Sequence, residues 1–149
     1  MIARATGGAL MVLGAALAVL PAFAWYSAPG PAALTRTSGF AAAGQLWLLP
    51  VPALVIVLCG ALLVAGRPGR ERVSAPWAGL AAAAAGALAL GLVLWSALWP
   101  RLDLVVTLDG SVERIAVPVA VEPAATVAAV LAGAAIGIGA FVALVGWRR

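Results

Sequence analysis

Four long apolar segments alternate with short polar segments along the chain. The apolar segments cover residues 6–26, 46–65, 76–99 and 124–147, and none of them contains a charged residue. A helix needs about 20 mostly apolar residues to cross a lipid bilayer. The pattern therefore predicts an all-α integral membrane protein, a bundle of four transmembrane helices in a single domain over residues 1–149. The predicted connections are two outer loops at about 27–45 and 100–123 and an inner loop at about 66–75.

Composition separates this chain from soluble proteins. Hydrophobic residues make up 65 % and charged residues 9 % of the sequence, whereas soluble chains carry about 25 % charged residues. The mean hydropathy is +1.14. A soluble domain of this size leaves roughly a third of its unfolded-chain surface exposed, so it could not bury this much apolar surface. The surplus is expected to contact a lipid bilayer.

The arginines predict how the spans are oriented. All of the basic residues are arginines, and most of them flank one side of the predicted membrane: Arg4, Arg67, Arg70, Arg72, Arg148 and Arg149. Cytoplasmic loops of membrane proteins carry an excess of Arg and Lys. We therefore expect a multi-pass protein of the cell (plasma) membrane, with both termini and the loop at 66–75 in the cytoplasm. The three arginines of that loop are also suited to binding anionic lipid headgroups.

The other side of the membrane is nearly balanced in charge. It carries three arginines and four acids: Arg36, Arg101, Arg114, Asp103, Asp109, Glu113 and Glu122. A pI near 11.1 in a soluble domain would indicate nucleic-acid binding. Here the arginines lie between apolar spans and the topology accounts for them, so no nucleic-acid partner is expected.

The first span has a second interpretation. Its basic start and the sequence Ala22-Phe23-Ala24 are typical of a signal peptide with a small-x-small cleavage site. Cleavage would leave three spans and place the new N-terminus outside. The apolar run is long for a signal peptide, which favours an uncleaved membrane anchor.

All six tryptophans lie at predicted span ends. Tryptophan and tyrosine are enriched at both membrane–water interfaces. The outer interface is predicted at Trp25, Trp47, Trp95 and Trp99, together with Tyr26. The inner interface is predicted at Trp77 and Trp147.

Small residues predict where two of the helices pack. Helices in lipid associate through close backbone approach at small residues, because water supplies no hydrophobic drive there. The third span has Gly79, Ala83, Ala87 and Gly91 at four-residue spacing, and the fourth has Ala125, Ala129, Gly133 and Gly137. These consecutive antiparallel helices are expected to pack along the two stripes.

The second outer loop has the pattern of a β-hairpin. Residues 102–108 favour a strand, and Asp109-Gly110 is a strong signal for a two-residue turn. Because a two-stranded hairpin is marginal by itself, it needs a third partner, which could be the stretch at 34–38, the membrane surface or another protein. The predicted partner surface consists of Leu104, Val106, Asp109, Gly110, Ile115, Val117 and Val119.

Few residues offer catalytic chemistry. Histidine is absent, which removes the commonest general base and metal ligand. The single cysteine, Cys59, lies in the middle of a span and is expected to be buried and inert. The acids of the second outer loop do not have the spacing of a calcium loop, and pairing with nearby arginines is the simpler interpretation. No catalytic, cofactor or metal residue is predicted, and we expect no enzyme activity.

Three local features resemble one group of bacterial membrane proteins. Trp25-Tyr26 ends the first span, a Ser-Gly element at 36–40 precedes the second, and an arginine-rich inner turn at 66–70 follows it. Over about the first two thirds of its length, the chain resembles the tryptophan-operon-associated membrane proteins, small four-span proteins of actinobacteria. The resemblance implies a four-span fold, and it implies neither an activity nor catalytic residues.

Three functions fit these patterns. The spans contain no ionisable residue of the kind that transporters use as relays. The leading hypothesis is a non-catalytic accessory or assembly subunit that docks onto larger integral membrane proteins through its small-residue helix faces and outer hairpin. The alternatives are a small homo-oligomeric transport or channel component, and a sensor or ligand-binding module on the outer face.

Overall fold

Four long helices pack as a bundle in the computed structural model, which describes residues 2–27, 36–42, 44–66, 71–98, 101–108 and 111–148. The helices are α1 (Ile2–Val19), α3 (Pro50–Ala65), α4 (Glu71–Leu98) and α5 (Pro123–Trp147), and a short α2 covers Gly39–Ala42. Each long helix packs against the next one in the chain, and α5 closes the ring against α1. The predicted bundle of four apolar helices is confirmed.

The candidate membrane spans lie close to the predicted ones. By length and composition they cover Arg4–Ala22, Gly44–Ala65, Ala75–Leu98 and Pro123–Trp147. The last three agree with prediction within two residues, but the first ends four residues early. There the chain makes a 3₁₀ turn over Leu20–Ala22 that contains Pro21, and Phe23 is extended. Proline removes a backbone donor and limits helix continuation, so residues 23–26 do not extend the helix as predicted.

A small three-stranded sheet closes one end of the bundle, which we call the sheet end. Its antiparallel strands are β1 (Ala24–Ser27), β2 (Arg36–Ser38) and β5 (Ala120–Val121), in the order β2-β1-β5. The sheet therefore ties the chain that leaves α1 to the chain that enters α5. We call the opposite end, where α3 ends and α4 begins, the arginine end.

The predicted hairpin is present as two paired strands, β3 (Arg101–Leu108) and β4 (Ser111–Pro118). Their register runs from Arg101↔Pro118 to Leu108↔Ser111, which leaves a two-residue connection. The connecting residues, Asp109 and Gly110, lie outside the described part of the chain.

Among the described residues between α1 and α3, none pairs with the hairpin as a third strand. In the predicted stretch at 34–38, the described residues Arg36–Ser38 pair with β1. β1 in turn pairs with β5, just after the hairpin. Pairing with β1 joins the α1–α3 connection to the α4–α5 connection at the root of the hairpin and leaves β3 and β4 as a separate sheet.

Candidate functional site

The closest contact between α4 and α5 is built on two glycines that face each other. A Cβ atom added to Gly139 would lie 2.6 Å from the Ala83 nitrogen and 2.7 Å from the Gly79 oxygen. A Cβ atom added to Gly79 would lie 2.6 Å from both the Ala143 nitrogen and the Gly139 oxygen. Each obstruction is backbone, which cannot rotate away as a side chain can. Glycine at both positions therefore sets how closely the two helices approach.

Two further glycines extend this contact along the pair. A Cβ atom at Gly86 would lie 3.0 Å from the Ile136 nitrogen, and one at Gly146 would lie 2.9 Å from Cδ of Pro76. Ala143 lies against Gly79 and Ala132 against Gly86, and the other buried alanines of α5 are Ala125, Ala128 and Ala135. The two helices thus pack through small residues from Pro76 to Gly86 on α4 and from Ala132 to Gly146 on α5.

The predicted stripes coincide with this contact only in part. Gly79 and Ala83 lie in it, Ala125 is buried and Ala129 is half-buried. The remaining four positions are exposed: Ala87, Gly91, Gly133 and Gly137. A Cβ atom at any of these three glycines would meet no atom within 4 Å. Their predicted role in pairing α4 with α5 is therefore corrected.

Helix geometry explains the correction. At 3.6 residues per turn, a step of four residues rotates about 40° past a full turn. Three such steps lead from Gly79 to Gly91 and add up to a rotation of about 120° around the helix axis. This rotation moves Gly91 off the face on which Gly79 packs. Steps that alternate between three and four residues stay on one face. The α5 residues 132, 135, 139, 142 and 146 follow that spacing, and the missed Gly86, Gly139 and Gly146 could have been found by requiring it.

A second glycine contact joins α1 to α3, which sequence reasoning missed entirely. A Cβ atom at Gly7 would lie 2.7 Å from the Gly60 oxygen, and one at Gly60 would lie 2.6 Å from the Gly7 oxygen. About two turns further along α1, a Cβ atom at Gly14 would lie 2.7 Å from the Ala53 oxygen. The bundle is therefore made of two tight helical pairs, α1 with α3 and α4 with α5.

Trp25 fills the core of the sheet end. Its side chain is fully buried, and its indole Nε1–H donates to the Leu20 carbonyl at 2.8 Å. Gly39 lies against the ring, where a Cβ atom would be 3.0 Å from the indole Cγ. The backbone oxygen of Trp25 accepts a hydrogen bond from the Glu122 amide at 2.8 Å. The prediction that Trp25 anchors the chain in the lipid interface is wrong, because the turn at Pro21 brings it inside.

Tyr26 links the two helical pairs at the same end. Its side chain is 3 % exposed, so it too lies in the core rather than at a lipid interface as predicted. The phenol O–H donates to the Ser96 carbonyl of α4 at 2.8 Å, and the Ser96 hydroxyl donates to the Val93 carbonyl at 2.7 Å. Burial raises the pKa of Tyr26, which keeps the phenol protonated and able to donate.

Four other tryptophans have the exposure expected of interface anchors. Trp47 and Trp95 near the sheet end, and Trp77 and Trp147 near the arginine end, are 58–64 % exposed. The Trp47 indole donates to the Phe40 carbonyl at 2.9 Å, and the two rings lie 4.7 Å apart between centroids. Trp99 lies outside the described residues.

For the predicted inner arginines and the predicted partner surface of the hairpin, the structure gives the position of the backbone in a helix or a strand. Arg67 and Arg70 lie outside the described residues, and Arg72 is in the first turn of α4. Leu104 pairs with Ile115, Val106 with Glu113, and Val117 with Leu102 in the hairpin. Val119 is half-buried and packs against the bundle core. The sheet end and the hairpin together form the candidate site for a partner.

Groups suited to chemistry are few in the described part of the chain. No cluster of three or more His, Cys, Asp or Glu residues there could hold a metal ion. Cys59 is a free thiol buried in α3. Every buried side-chain nitrogen or oxygen in these residues has a hydrogen-bond partner.

No protein-family model matches the sequence, and no curated protein or solved structure matches it either. The resemblance to the tryptophan-operon-associated membrane proteins stays a prediction.

Proposed function

We propose that the protein is a non-catalytic accessory or assembly subunit of a larger membrane protein complex. The observation that carries the proposal is the β3–β4 hairpin. Its two strands of eight residues pair with each other, and neither has another partner strand among the described residues. An edge strand is a template for pairing with a second chain, and an isolated hairpin is marginally stable in water. A partner strand would pair with the open edge and would also stabilise the hairpin.

The register identifies the backbone groups that would bind the partner. In a hairpin with a two-residue turn, the two residues that flank the turn exchange both of their backbone hydrogen bonds. In this hairpin these residues are Leu108 and Ser111. The pairs then alternate, so the amides of Val105 on β3 and Arg114 on β4 are directed away from the ladder. These amides are available to an added strand on either side, which is the known β-augmentation mode of recognition.

The exposed small residues support docking within the membrane. Gly91 on α4 and Gly133 and Gly137 on α5 have open space where a side chain would be. Gly133 and Gly137 are one turn apart, and such a pair lets a second helix approach closely. The subunit would therefore contact its partner through a helix face as well as through the hairpin.

We place the protein in the cell membrane with the arginine end in the cytoplasm. Arg4 and Arg148 are both exposed at that end, in agreement with the positive-inside rule. The sheet and the hairpin would then lie on the outer face, where the partner would dock.

Co-purification from the native host tests the proposed function. A tag after the C-terminal arginine, mild detergent extraction and mass spectrometry are expected to recover one or more larger membrane proteins in fixed stoichiometry. Val105→Pro removes one outward amide, and Arg114→Pro removes one on the other edge. We expect one of the two substitutions to reduce recovery of the partner strongly, because only one edge is used.

Val105→Ala is the matched control, since it shortens the side chain but keeps the amide, and recovery of the partner should be retained. The helical circular dichroism of each variant checks that the bundle is intact. Recovery of the tagged chain without any stoichiometric partner would contradict the proposed function.

A further inference from the structure

The register of the hairpin gives it two unlike faces. Because successive residues of a strand alternate between faces, the pairing places the following residues on one face, which we call the apolar face: Leu102, Leu104, Val106, Leu108, Ile115 and Val117. Ser111 and Glu113 share this face near the turn. The opposite face holds three of the four charged residues of the two strands, Arg101, Asp103 and Arg114, together with Thr107 and the apolar residues Val105, Val112, Ala116 and Pro118. The hairpin is amphipathic as a pair of strands.

Short connections hold the hairpin at the edge of the bundle. Helix α4 ends at Leu98 and β3 begins at Arg101, while β5 ends at Val121 and α5 begins at Pro123. The side chain of Val119, between β4 and β5, packs against the bundle core. Each strand is about 26 Å long at 3.3 Å per residue. The hairpin is therefore rooted directly at the ends of two candidate spans.

The apolar surface of the bundle continues up to these roots. Leu98 is 70 % exposed and Trp95 63 % exposed on α4, and Val121 is 39 % exposed on β5. Exposed apolar residues at the end of a candidate span, with a tryptophan among them, mark the depth of the lipid interface. The hairpin leaves the bundle at that depth.

We propose that the β3–β4 hairpin lies flat on the bilayer surface, with its apolar face against the lipid. An amphipathic element rooted at the interface buries its apolar face at the boundary between headgroups and acyl chains and leaves its polar face in water. The unpaired strand edges stay at headgroup level, where water can reach them, because such edges do not occur in the hydrocarbon region. The bilayer would thus cover the apolar face of the hairpin, while its two strand edges stay unpaired.

This inference does not rest on the proposed subunit function. A hairpin that lies flat keeps both edges free in the plane of the membrane, where a neighbouring protein could pair with either one. Contact with lipid would persist in the purified protein, whereas contact with a partner requires the complex.

Fluorescent probes on adjacent residues test the placement. In a Cys59→Ala background, single cysteines replace Leu104 and Val105 on β3, and Ile115 and Ala116 on β4, and each carries an NBD fluorophore. The full-length protein is placed in phosphatidylcholine nanodiscs. We expect blue-shifted emission and quenching by doxyl-labelled lipid at 104 and 115, and several-fold stronger quenching by aqueous iodide at 105 and 116.

Two results would overturn the proposal. Strong iodide quenching at all four positions would mean that the hairpin stands away from the membrane in water. Protection of all four from both quenchers would mean that protein covers both faces, as in a homo-oligomer. Labelling of the unsubstituted chain measures the background from Cys59, which is 6 % exposed. Should Cys59→Ala not fold, the same four substitutions are made in the unsubstituted chain.

Discussion

Gly139→Leu is expected to destabilise the bundle by about 3 kcal/mol or more, at the upper end of the range for overpacked interiors. The first added carbon would already lie 2.6 Å from the Ala83 nitrogen and 2.7 Å from the Gly79 oxygen. Both atoms belong to the α4 backbone, so the side chain can fit only if the two helices separate. Separation would remove close packing along the whole pair, which is what holds helices together in lipid.

Gly137→Leu provides the matched control on the same helix. A Cβ atom there meets no atom within 4 Å, so its cost should be within about 0.5 kcal/mol, as for other exposed sites. Unfolding of the two variants by sodium dodecyl sulfate in mixed micelles, followed by circular dichroism, compares them directly. Equal destabilisation by both substitutions would contradict the glycine contact between α4 and α5.

Trp25→Ala is expected to cost about 4 kcal/mol, within the range for removing a large aromatic side chain from a core. The side chain is fully buried at the sheet end. Its loss would leave a cavity beside Gly39 and would remove the hydrogen bond to the carbonyl of Leu20, in the 3₁₀ turn that follows α1. The sheet that joins β1 to β5 would lose the side chain on which it packs.

Trp95→Ala is the control for this substitution, because it removes the same side chain near the same end. Trp95 is 63 % exposed, so the variant should lose far less stability in micelles. A melting temperature lowered as much by Trp95→Ala as by Trp25→Ala would show that Trp25 is not a core residue.

The number and approximate bounds of the spans could be predicted because bilayer thickness imposes one length on every helix that crosses it. The hairpin strands could be predicted as well, because Asp109-Gly110 is a strong local signal for a tight turn. Both are local properties, which depend on composition and on residues a few positions apart.

The contacts between elements could not be predicted in the same way. Which face of α5 meets α4 depends on the rotation of each helix, and strict four-residue spacing pointed to Gly133 and Gly137 rather than to Gly139. The position of Trp25 depends on the fold of the connection between α1 and α3, since the turn at Pro21 and the pairing of β1 with β5 together bury it. An aromatic residue at a span end has the same sequence signature whether it contacts lipid or core.

The sequence contains even less signal for the contact between α1 and α3. Gly7 and Gly60 are far apart in the sequence and stand among other small residues, such as Gly8, which has open space around it. The pattern does not distinguish the glycine that packs against another helix from its neighbour that has room for a side chain. Only the register between the two helices does so.

The most direct test of the four-span arrangement is the accessibility of single cysteines at its two ends in intact cells. Ala120→Cys places a thiol at the sheet end and Gly66→Cys places one at the arginine end, each in a Cys59→Ala background. With a membrane-impermeant maleimide, the thiol at 120 should be labelled in intact cells, and the thiol at 66 only after the cells are permeabilised. Labelling of both thiols in intact cells, or of the thiol at 66 alone, would contradict an even number of spans with the hairpin on the outer face.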